Sequence, residues 1–256
     1  MELFDRRVVV AGDWHRNGAW VQEIVPRIAV YDPSITTILH AGDFGLWPGR
    51  TGESFLHTVD ETCAEHGIRR VLVTPGNHED WTSLDAHFAE RPGDAVQLSD
   101  VVWALPRGHR FTIGWMRFLS FGGAASLDRG RRVEGQTWWA GEMPTDEDVE
   151  KAIAGGGADV MITHDMVNRG IPALDHRILR SDGWPANALA MSALSRNRVT
   201  RVWAAVQPQI LFHGHMHTAA LSPPGGPRVV SLGCDNNRGN VMLLALPDLS
   251  VEWLPG

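Results

Sequence analysis

The sequence predicts a single α/β domain over residues 1–256, in which two β-sheets form a sandwich flanked by helices. Short apolar runs rich in β-branched residues recur along the chain, and each one ends in a polar or glycine-containing turn. Segments with helical patterning separate the first of these runs, as parallel strands require. The chain contains no internal repeat, low-complexity tract or linker, so one domain accounts for its whole length.

The first part of the chain contains three units, each a strand followed by a polar turn. The turn residues Asp13, Asp43 and Asn77 lie 30 and 34 residues apart. A strand, a crossover helix and the next parallel strand together need about 30 residues, so the spacing predicts parallel strands with crossover helices. The strands are predicted at Arg7–Ala11, Thr37–His40 and 70–74, and the helices at 19–30 and 54–66.

The middle of the chain has a different character. Residues 96–121 contain four short strand-like runs with tight turns, which predicts an antiparallel meander. The stretch 122–145 is irregular and longer than an ordinary loop, so we expect it to be functional or mobile. Thr145 then caps a helix predicted at Asp146–Ala154, whose first turn holds three acidic residues where the helix dipole favours them.

The last part of the chain returns to strands that end in polar turns. Val160–Thr163 and Ile210–His213 are the predicted strands. Residues 186–207 between them are predicted to form two helices with a break near Asn197. Closing strands are predicted at 229–232, 241–246 and 251–253.

The charge balance limits the class of partner. The chain has 30 acidic and 23 basic residues, for a formal net charge of −7, which argues against nucleic-acid binding through bulk electrostatics. Lys151 is the only lysine, so nearly all the basic residues are arginines, whose planar fork suits phosphate.

The cysteines and the N-terminus indicate the cellular compartment. Cys63 and Cys234 are too few for a disulfide framework or a cysteine-based zinc site, which favours a reducing compartment. The first residues leave no room for a signal peptide, and no apolar run approaches the roughly 18 residues of a membrane span. We therefore expect a soluble, cytoplasmic protein with no membrane partner; the oligomeric state stays open.

Polar side chains of a consistent kind follow five of the predicted strands. Ligands of α/β sheets bind beyond the carboxyl ends of the strands, so these residues can converge although they span most of the sequence. Carboxylates, an amide and imidazoles together form a ligand set for borderline divalent metals. The residues are Asp13, His15, Asp43, Asn77, His78, His164, His215 and His217.

The order of these motifs carries more information than any one of them. It reads D-x-H, G-D, G-N-H-E, a lone histidine after a strand, and G-H-x-H, and it covers the chain from Asp13 to His217. This order resembles the calcineurin-like metallophosphoesterase superfamily. The segment 122–129 is similar to one in its small bacterial and phage members. The resemblance implies a four-layer αββα sandwich with a dinuclear metal site at one edge.

The resemblance also implies how two divalent ions would be held. Asp43 would bridge both ions. Manganese is the favoured metal, although iron, zinc, cobalt and nickel also suit mixed nitrogen and oxygen ligands. The remaining ligands divide into Asp13, His15 and His217 for one ion, and Asn77, His164 and His215 for the other.

Residues next to the ligands are the catalytic and substrate-binding candidates. His78 follows a ligand and is expected to protonate the leaving oxygen or stabilise the transition state. Glu79 is expected to hydrogen-bond an imidazole and fix its tautomer. Arg16, Arg129 and Arg132 are the candidates to bind phosphate, because a bidentate guanidinium suits phosphoryl oxygens.

The implied function is hydrolysis of phosphomonoesters or phosphodiesters, with small or nucleotide-like substrates favoured, by attack of a metal-activated hydroxide. A nuclease on short or single-stranded nucleic acid is the alternative within the enzymes. Phe44 and Gly45 follow Asp43 where Ser/Thr protein phosphatases have a V-D-R-G run, which argues against a protein phosphatase. A non-catalytic scaffold would be expected to lack a ligand or His78, and mononuclear amidohydrolases carry H-x-H early in the chain rather than at His215 and His217.

Overall fold

Two seven-stranded β-sheets face each other in the computed structural model, which describes residues 2–3, 5–179 and 183–255. The predicted sandwich flanked by helices is confirmed. In chain order the strands are β1 Glu2–Leu3, β2 Arg7–Ala11, β3 Thr37–His40, β4 Arg70–Val73, β5 Val96–Gln97, β6 Val102–Ala104, β7 Arg110–Ile113, β8 Met116–Phe121, β9 Val160–Thr163, β10 Ile210–His213, β11 Ala220–Leu221, β12 Arg228–Ser231, β13 Val241–Ala245 and β14 Val251–Trp253.

Helices cover the outer faces of the sandwich. Two short 3-10 helices, Arg129–Arg131 and Ala140–Glu142, interrupt the irregular segment 122–145. The α-helices among the described residues are α1 Gly18–Tyr31, α2 Gly49–Glu65, α3 Trp81–Glu90, α4 Asp146–Ala154, α5 Pro172–Leu179 and α6 Ala186–Val206.

The strand order places parallel strands at the centre of each sheet. One sheet has the order β14-β13-β2-β3-β4-β6-β5, with β2, β3, β4 and β6 parallel. The other has the order β1-β7-β8-β9-β10-β12-β11, with β8, β9, β10 and β12 parallel. The turns that carry polar side chains follow five of these central strands, and carboxyl ends of parallel strands share an edge.

Three apolar layers hold the sandwich together. The inner layer joins the two sheets, with Val10 and Leu39 of one sheet in the same buried cluster as Phe118 and Phe212 of the other. A second cluster packs α1, α2 and α3 against the sheet that contains β2, and a third packs α4, α5 and α6 against the sheet that contains β9. Among the described residues, no helix combines the length and apolar character needed to cross a membrane.

The predicted antiparallel meander at residues 96–121 is wrong. β5 pairs antiparallel with β6 in one sheet, whereas β7 pairs antiparallel with β8 in the other. The chain therefore crosses between the sheets after β6. Alternation of apolar and polar residues shows which side of a strand is buried, but it does not show which sheet the strand joins.

The predicted break of the last long helix is also wrong, because α6 is continuous over Ala186–Val206. An asparagine favours a break when its side chain bonds to the nearby backbone. The Asn197 side chain instead accepts a hydrogen bond of 2.7 Å from Asn168, outside the helix. Helix α3 was not predicted, although Asp80 caps it by accepting from the Ser83 N–H at 3.2 Å.

The inner layer yields a stability prediction. Phe212 of β10 is fully buried between the sheets. We expect Phe212→Ala to lower the free energy of unfolding by about 3–5 kcal/mol, because it removes apolar contacts and leaves a cavity. Trp115 is 95% exposed, so the control Trp115→Ala should change the free energy of unfolding by less than about 0.5 kcal/mol. Urea unfolding measures both, and equal midpoint shifts would contradict the assignment of the core.

Candidate metal centre

The structure brings the seven predicted metal ligands to one edge of the sandwich. Ligand atoms of Asp13, His15, Asp43 and His217 lie within 4.8 Å of one another, as do those of Asp43, His164 and His215. Asp43 belongs to both groups. The side-chain oxygen of Asn77 adjoins the second group, at 2.9 Å from Nε2 of His164.

Sharp turns after the strands aim these side chains at one another. His15, Asp43, His215 and His217 all have left-handed backbone conformations, with φ of 47°, 49°, 64° and 50°. Such conformations are uncommon for residues other than glycine and are concentrated at functional sites. A Cβ at Gly214 would lie 2.0 Å from Oδ1 of Asp13, so only glycine allows the turn after β10 to approach Asp13 this closely.

The sandwich supplies the stiffness that these turns need. Asp43 follows β3, while the imidazoles of His164 and His215 come from the turns after β9 and β10 in the other sheet. The two sheets approach each other through the inner apolar layer, so the distance between their ligands is set by packing rather than by local chain geometry. Left-handed turns at the ligands are strained, and dense packing around them maintains that strain.

The Asp43 carboxylate lies at the centre of the site. Its Oδ1 accepts a hydrogen bond of 2.9 Å from the His78 backbone N–H and lies 3.3 Å from Nε2 of His164. Its Oδ2 is buried and has no hydrogen-bond partner among the described residues. That oxygen lies 3.8 Å from Nε2 of both His15 and His78. Because a buried carboxylate oxygen without a partner is costly, this position fits a bound cation.

The electrostatics of the site favour a cation as well. Burial opposes ionisation, but the imidazoles of His164 and His78 hold the pKa of the Asp43 carboxyl well below its usual range. Burial and the charge of His164 hold the pKa of His215 well below its usual range, which leaves this imidazole neutral. Asp43, despite burial, raises the pKa of His164 to about 10, so a cation at His164 must displace a proton.

Contacts behind the ligands fix two imidazole orientations. Asp235 lies 2.9 Å from Nδ1 of His15 and accepts a second hydrogen bond of 2.6 Å from Asn17. The carbonyl oxygen of Ala41 lies 2.8 Å from Nδ1 of His164. In both imidazoles Nε2 therefore faces Asp43, which is the usual arrangement for histidine ligands of metals. Sequence reasoning missed Asp235, which lies 220 residues from His15 and in no motif.

The predicted hydrogen bond between Glu79 and an imidazole is wrong. Both carboxylate oxygens of Glu79 accept backbone N–H groups, from Phe44 at 2.7 Å, Gly45 at 3.2 Å and Leu46 at 2.7 Å. Glu79 is fully buried, and burial raises the pKa of its carboxyl while the three N–H groups oppose that rise. Its observed contacts hold the loop that follows Asp43, so it supports the site from behind.

His78 is placed at the open side of the site. Its side chain is 22% exposed, and its Nε2 lies 3.2 Å from a terminal nitrogen of Arg132. Burial lowers the pKa of His78, and Asp43 opposes this effect. The same Arg132 nitrogen lies 2.7 Å from Asp128, and the other donates to the Thr137 carbonyl at 3.0 Å. Arg132 therefore reaches the centre from the segment 122–145.

The other two predicted phosphate-binding arginines stack on tryptophans. The Arg16 guanidinium lies 4.1 Å from the ring centroid of Trp47, and that of Arg129 lies 4.0 Å from Trp138. Nη1 of Arg16 is buried without a hydrogen-bond partner among the described residues. Arg132, in contrast to these two stacked arginines, contacts a predicted catalytic residue directly.

Comparison with models of known protein families shows which family the chain belongs to. A family model described as calcineurin-like phosphoesterase matches residues 6–219. The chain belongs to the calcineurin-like phosphoesterase family. Proteins of this family typically depend on two metal ions, and the two ligand groups around Asp43 are candidate positions for them. A search of curated proteins gives no match to this calcineurin-like phosphoesterase.

Solved structures support the fold of this calcineurin-like phosphoesterase. The protein TT1561 of Thermus thermophilus is 13% identical, with a TM-score of 0.58 and coverage of 97% of both chains. Phosphopantetheinyl hydrolase from Mycobacterium tuberculosis is 14% identical, with a TM-score of 0.55 and coverage of 98% of this chain and 100% of that one. A dimetal phosphatase from Danio rerio is 11% identical, with a TM-score of 0.56 and coverage of 94% of this chain and 93% of that one.

The contacts of Glu79 yield a prediction that separates support from catalysis. In Glu79→Gln, the amide NH2 must face a backbone N–H, whichever way the side chain turns. We expect the metal-free protein to lose about 1–3 kcal/mol of unfolding free energy in urea. Glu61 is 63% exposed, so Glu61→Gln is the matched control and should change little. Unchanged stability with lost turnover would instead favour the catalytic role predicted from sequence.

Proposed function

We propose that this calcineurin-like phosphoesterase is a dinuclear, metal-dependent hydrolase of phosphomonoesters or phosphodiesters with small or nucleotide-like substrates. The observation that carries the proposal is the position of Asp43 in both ligand groups, with a buried oxygen that lacks a partner among the described residues. One carboxylate between two groups of ligands is suited to bridging two cations. When bound, such a pair would supply an acidified water and charge stabilisation at phosphorus.

The donor set supports a borderline divalent metal, for which we propose manganese. It combines carboxylates, imidazoles and an amide oxygen, and it includes no thiolate. Neutral His215 offers a lone pair, and ionised Asp43 offers charge. The proposed assignment is Asp13, His15 and His217 for one ion, and Asn77, His164 and His215 for the other, with Asp43 shared.

His78 has the position of a proton donor to the leaving oxygen. It is not needed as a ligand in either group, and its Nε2 lies 3.8 Å from Asp43 at the open side of the site. Burial lowers the pKa of His78, the Asp43 carboxylate opposes this by stabilising the protonated imidazole, and Arg132 at 3.2 Å favours the neutral form until substrate oxygens take up its N–H groups. An alkoxide leaving group needs a proton as the ester bond breaks. In the proposal His78 gives up that proton and regains one from solvent between turnovers.

Arg132 has the geometry to bind the phosphoryl group. Asp128 holds its guanidinium beside His78, and its Nε is buried without a hydrogen-bond partner among the described residues. Guanidinium N–H groups match phosphoryl oxygens, which would replace the contact to His78 when substrate binds. Arg16 and Arg129 are proposed as outer contacts to the substrate, at the positions where they stack on Trp47 and Trp138.

The role of His78 yields a mutational prediction. We expect His78→Ala to keep its metal content and to lower kcat by about 10² to 10⁴, because loss of a general acid slows the step without removing a ligand. His57 is 71% exposed on α2, so His57→Ala is the matched control. Metal analysis and turnover of a p-nitrophenyl phosphate ester measure the two effects. Unchanged turnover would exclude the proton-donor role.

The substrate class can be measured directly on the full chain. We expect the manganese-repleted protein to hydrolyse p-nitrophenyl phosphate, bis-p-nitrophenyl phosphate or both, and a chelator to abolish the activity. The ratio of the two rates assigns monoesterase or diesterase preference. Faster cleavage of a short single-stranded oligonucleotide would favour a nuclease, and no hydrolysis of any of the three with metal bound would contradict the proposal.

A further inference from the structure

A chain of three buried side chains leads away from the candidate metal centre at Asn77. The amide nitrogen of Asn77 lies 2.9 Å from the hydroxyl oxygen of Ser126, and that hydroxyl lies 2.5 Å from Oε2 of Glu142. The other Glu142 oxygen accepts the backbone N–H of Ser126 at 2.9 Å. Ser126 is 6% exposed and Glu142 is 3% exposed, so protein rather than bulk solvent satisfies these groups.

The chemistry of these groups gives the chain one direction. In its ionised form the Glu142 carboxylate only accepts hydrogen bonds, so the Ser126 hydroxyl donates its single proton to it. The hydroxyl oxygen then has lone pairs but no proton for Asn77, so Asn77 must present its NH2 group to Ser126. Its amide oxygen is thereby turned the other way, to a position 2.9 Å from Nε2 of His164.

We propose that Ser126 and Glu142 are positioning residues that fix the amide of Asn77 with its oxygen toward the metal centre. An amide oxygen binds a cation, whereas an amide NH2 group does not, so the two orientations of one side chain differ in ligand function. The charge of Glu142 also polarises the chain and increases the electron density on the Asn77 oxygen. This inference rests on the proposed metal site.

The backbone around the two positioning residues is held by Arg107. Its guanidinium donates to the carbonyl oxygens of Gly122 at 3.0 Å, Gly141 at 2.7 Å and Glu142 at 3.0 Å. Gly122 lies four residues before Ser126, and the other two carbonyls belong to Glu142 and the residue before it, so the contacts lie on both sides of the intervening segment. The clamp fixes the distance between the serine and the glutamate, so the orientation of Asn77 does not depend on the exposed middle of the segment.

Glu142→Gln changes the direction of these hydrogen bonds while it leaves the size of the side chain almost unchanged. The Ser126 backbone N–H requires an acceptor, so the glutamine oxygen must face it and the glutamine NH2 must face the Ser126 hydroxyl. That hydroxyl then turns its proton to Asn77, which must offer its oxygen to Ser126 and its NH2 to the metal. A nearly isosteric change therefore reverses the direction of the hydrogen bonds from Glu142 through Ser126 to Asn77. A purely structural Glu142 predicts no such effect, because the neutral side chain is easier to bury.

The test measures Mn²⁺ affinity and stoichiometry by calorimetric titration of the full chain, together with Tm of the metal-free protein. We expect Glu142→Gln and Ser126→Ala to weaken one of the two ions by about 10- to 100-fold, as losses behind metal ligands do, while metal-free Glu142→Gln still unfolds in one cooperative transition. Ser126→Thr, which keeps the hydroxyl, should retain the affinity. Glu150 is 74% exposed, so Glu150→Gln is the control for loss of one carboxylate.

Asn77→Ala separates failure of the positioning role from failure of the site itself. If Asn77→Ala weakens one ion while Glu142→Gln and Ser126→Ala bind both ions like the wild type, the positioning role is wrong and the metal site stands. If Asn77→Ala also binds two ions normally, Asn77 is not a ligand and the assignment of the second group fails. Should Glu142→Gln not fold, the hydroxyl deletion and its threonine rescue decide the question.

Discussion

The Asp43 carboxylate is the group on which the rest of the site depends. It is ionised although it is buried, and burial of an unpaired charge costs several kcal/mol. The neighbouring imidazoles and the His78 backbone N–H offset part of that cost at Oδ1. Oδ2 retains no partner among the described residues. The two packed sheets must therefore hold a buried, charged carboxylate in a position that a cation would complete.

The sequence predicted the elements that depend on local pattern, and it predicted the residues that the structure brings together at the candidate metal centre. Each ligand lies in a short motif directly after an apolar strand, and ends of parallel strands converge in any sheet of this class. The sandwich was predictable from the order of strand and helix segments along the chain and from the family resemblance. The sheet that each of β5 to β8 joins could not be predicted, because alternation of apolar and polar residues carries no information about which strands pair. The continuity of α6 through Asn197 depended on a contact to Asn168, far away in sequence.

The residues behind the ligands could not be predicted from the sequence, and the contacts explain why. Asp235, Ser126 and Glu142 are separated from the side chains that they hold by 220, 49 and 16 residues. No motif joins such positions until the chain is folded. Glu79 shows the opposite error, since its proximity in sequence to the candidate ligand Asn77 suggested a contact with an imidazole. The side chain turns instead to three backbone N–H groups of the loop after Asp43.

The charge of the whole chain and the charge of the site have opposite consequences for an anionic substrate. The net charge of −7 disfavours long polyanions, whose binding depends on many contacts across a surface. A single phosphate ester responds to the local field, where Arg132 and His78 lie together and two proposed cations would add further positive charge. Asp128 opposes that field, yet it holds the Arg132 guanidinium in place, so its effect is orientation. This balance supports the proposal that the substrate is a small phosphate ester rather than an extended nucleic acid.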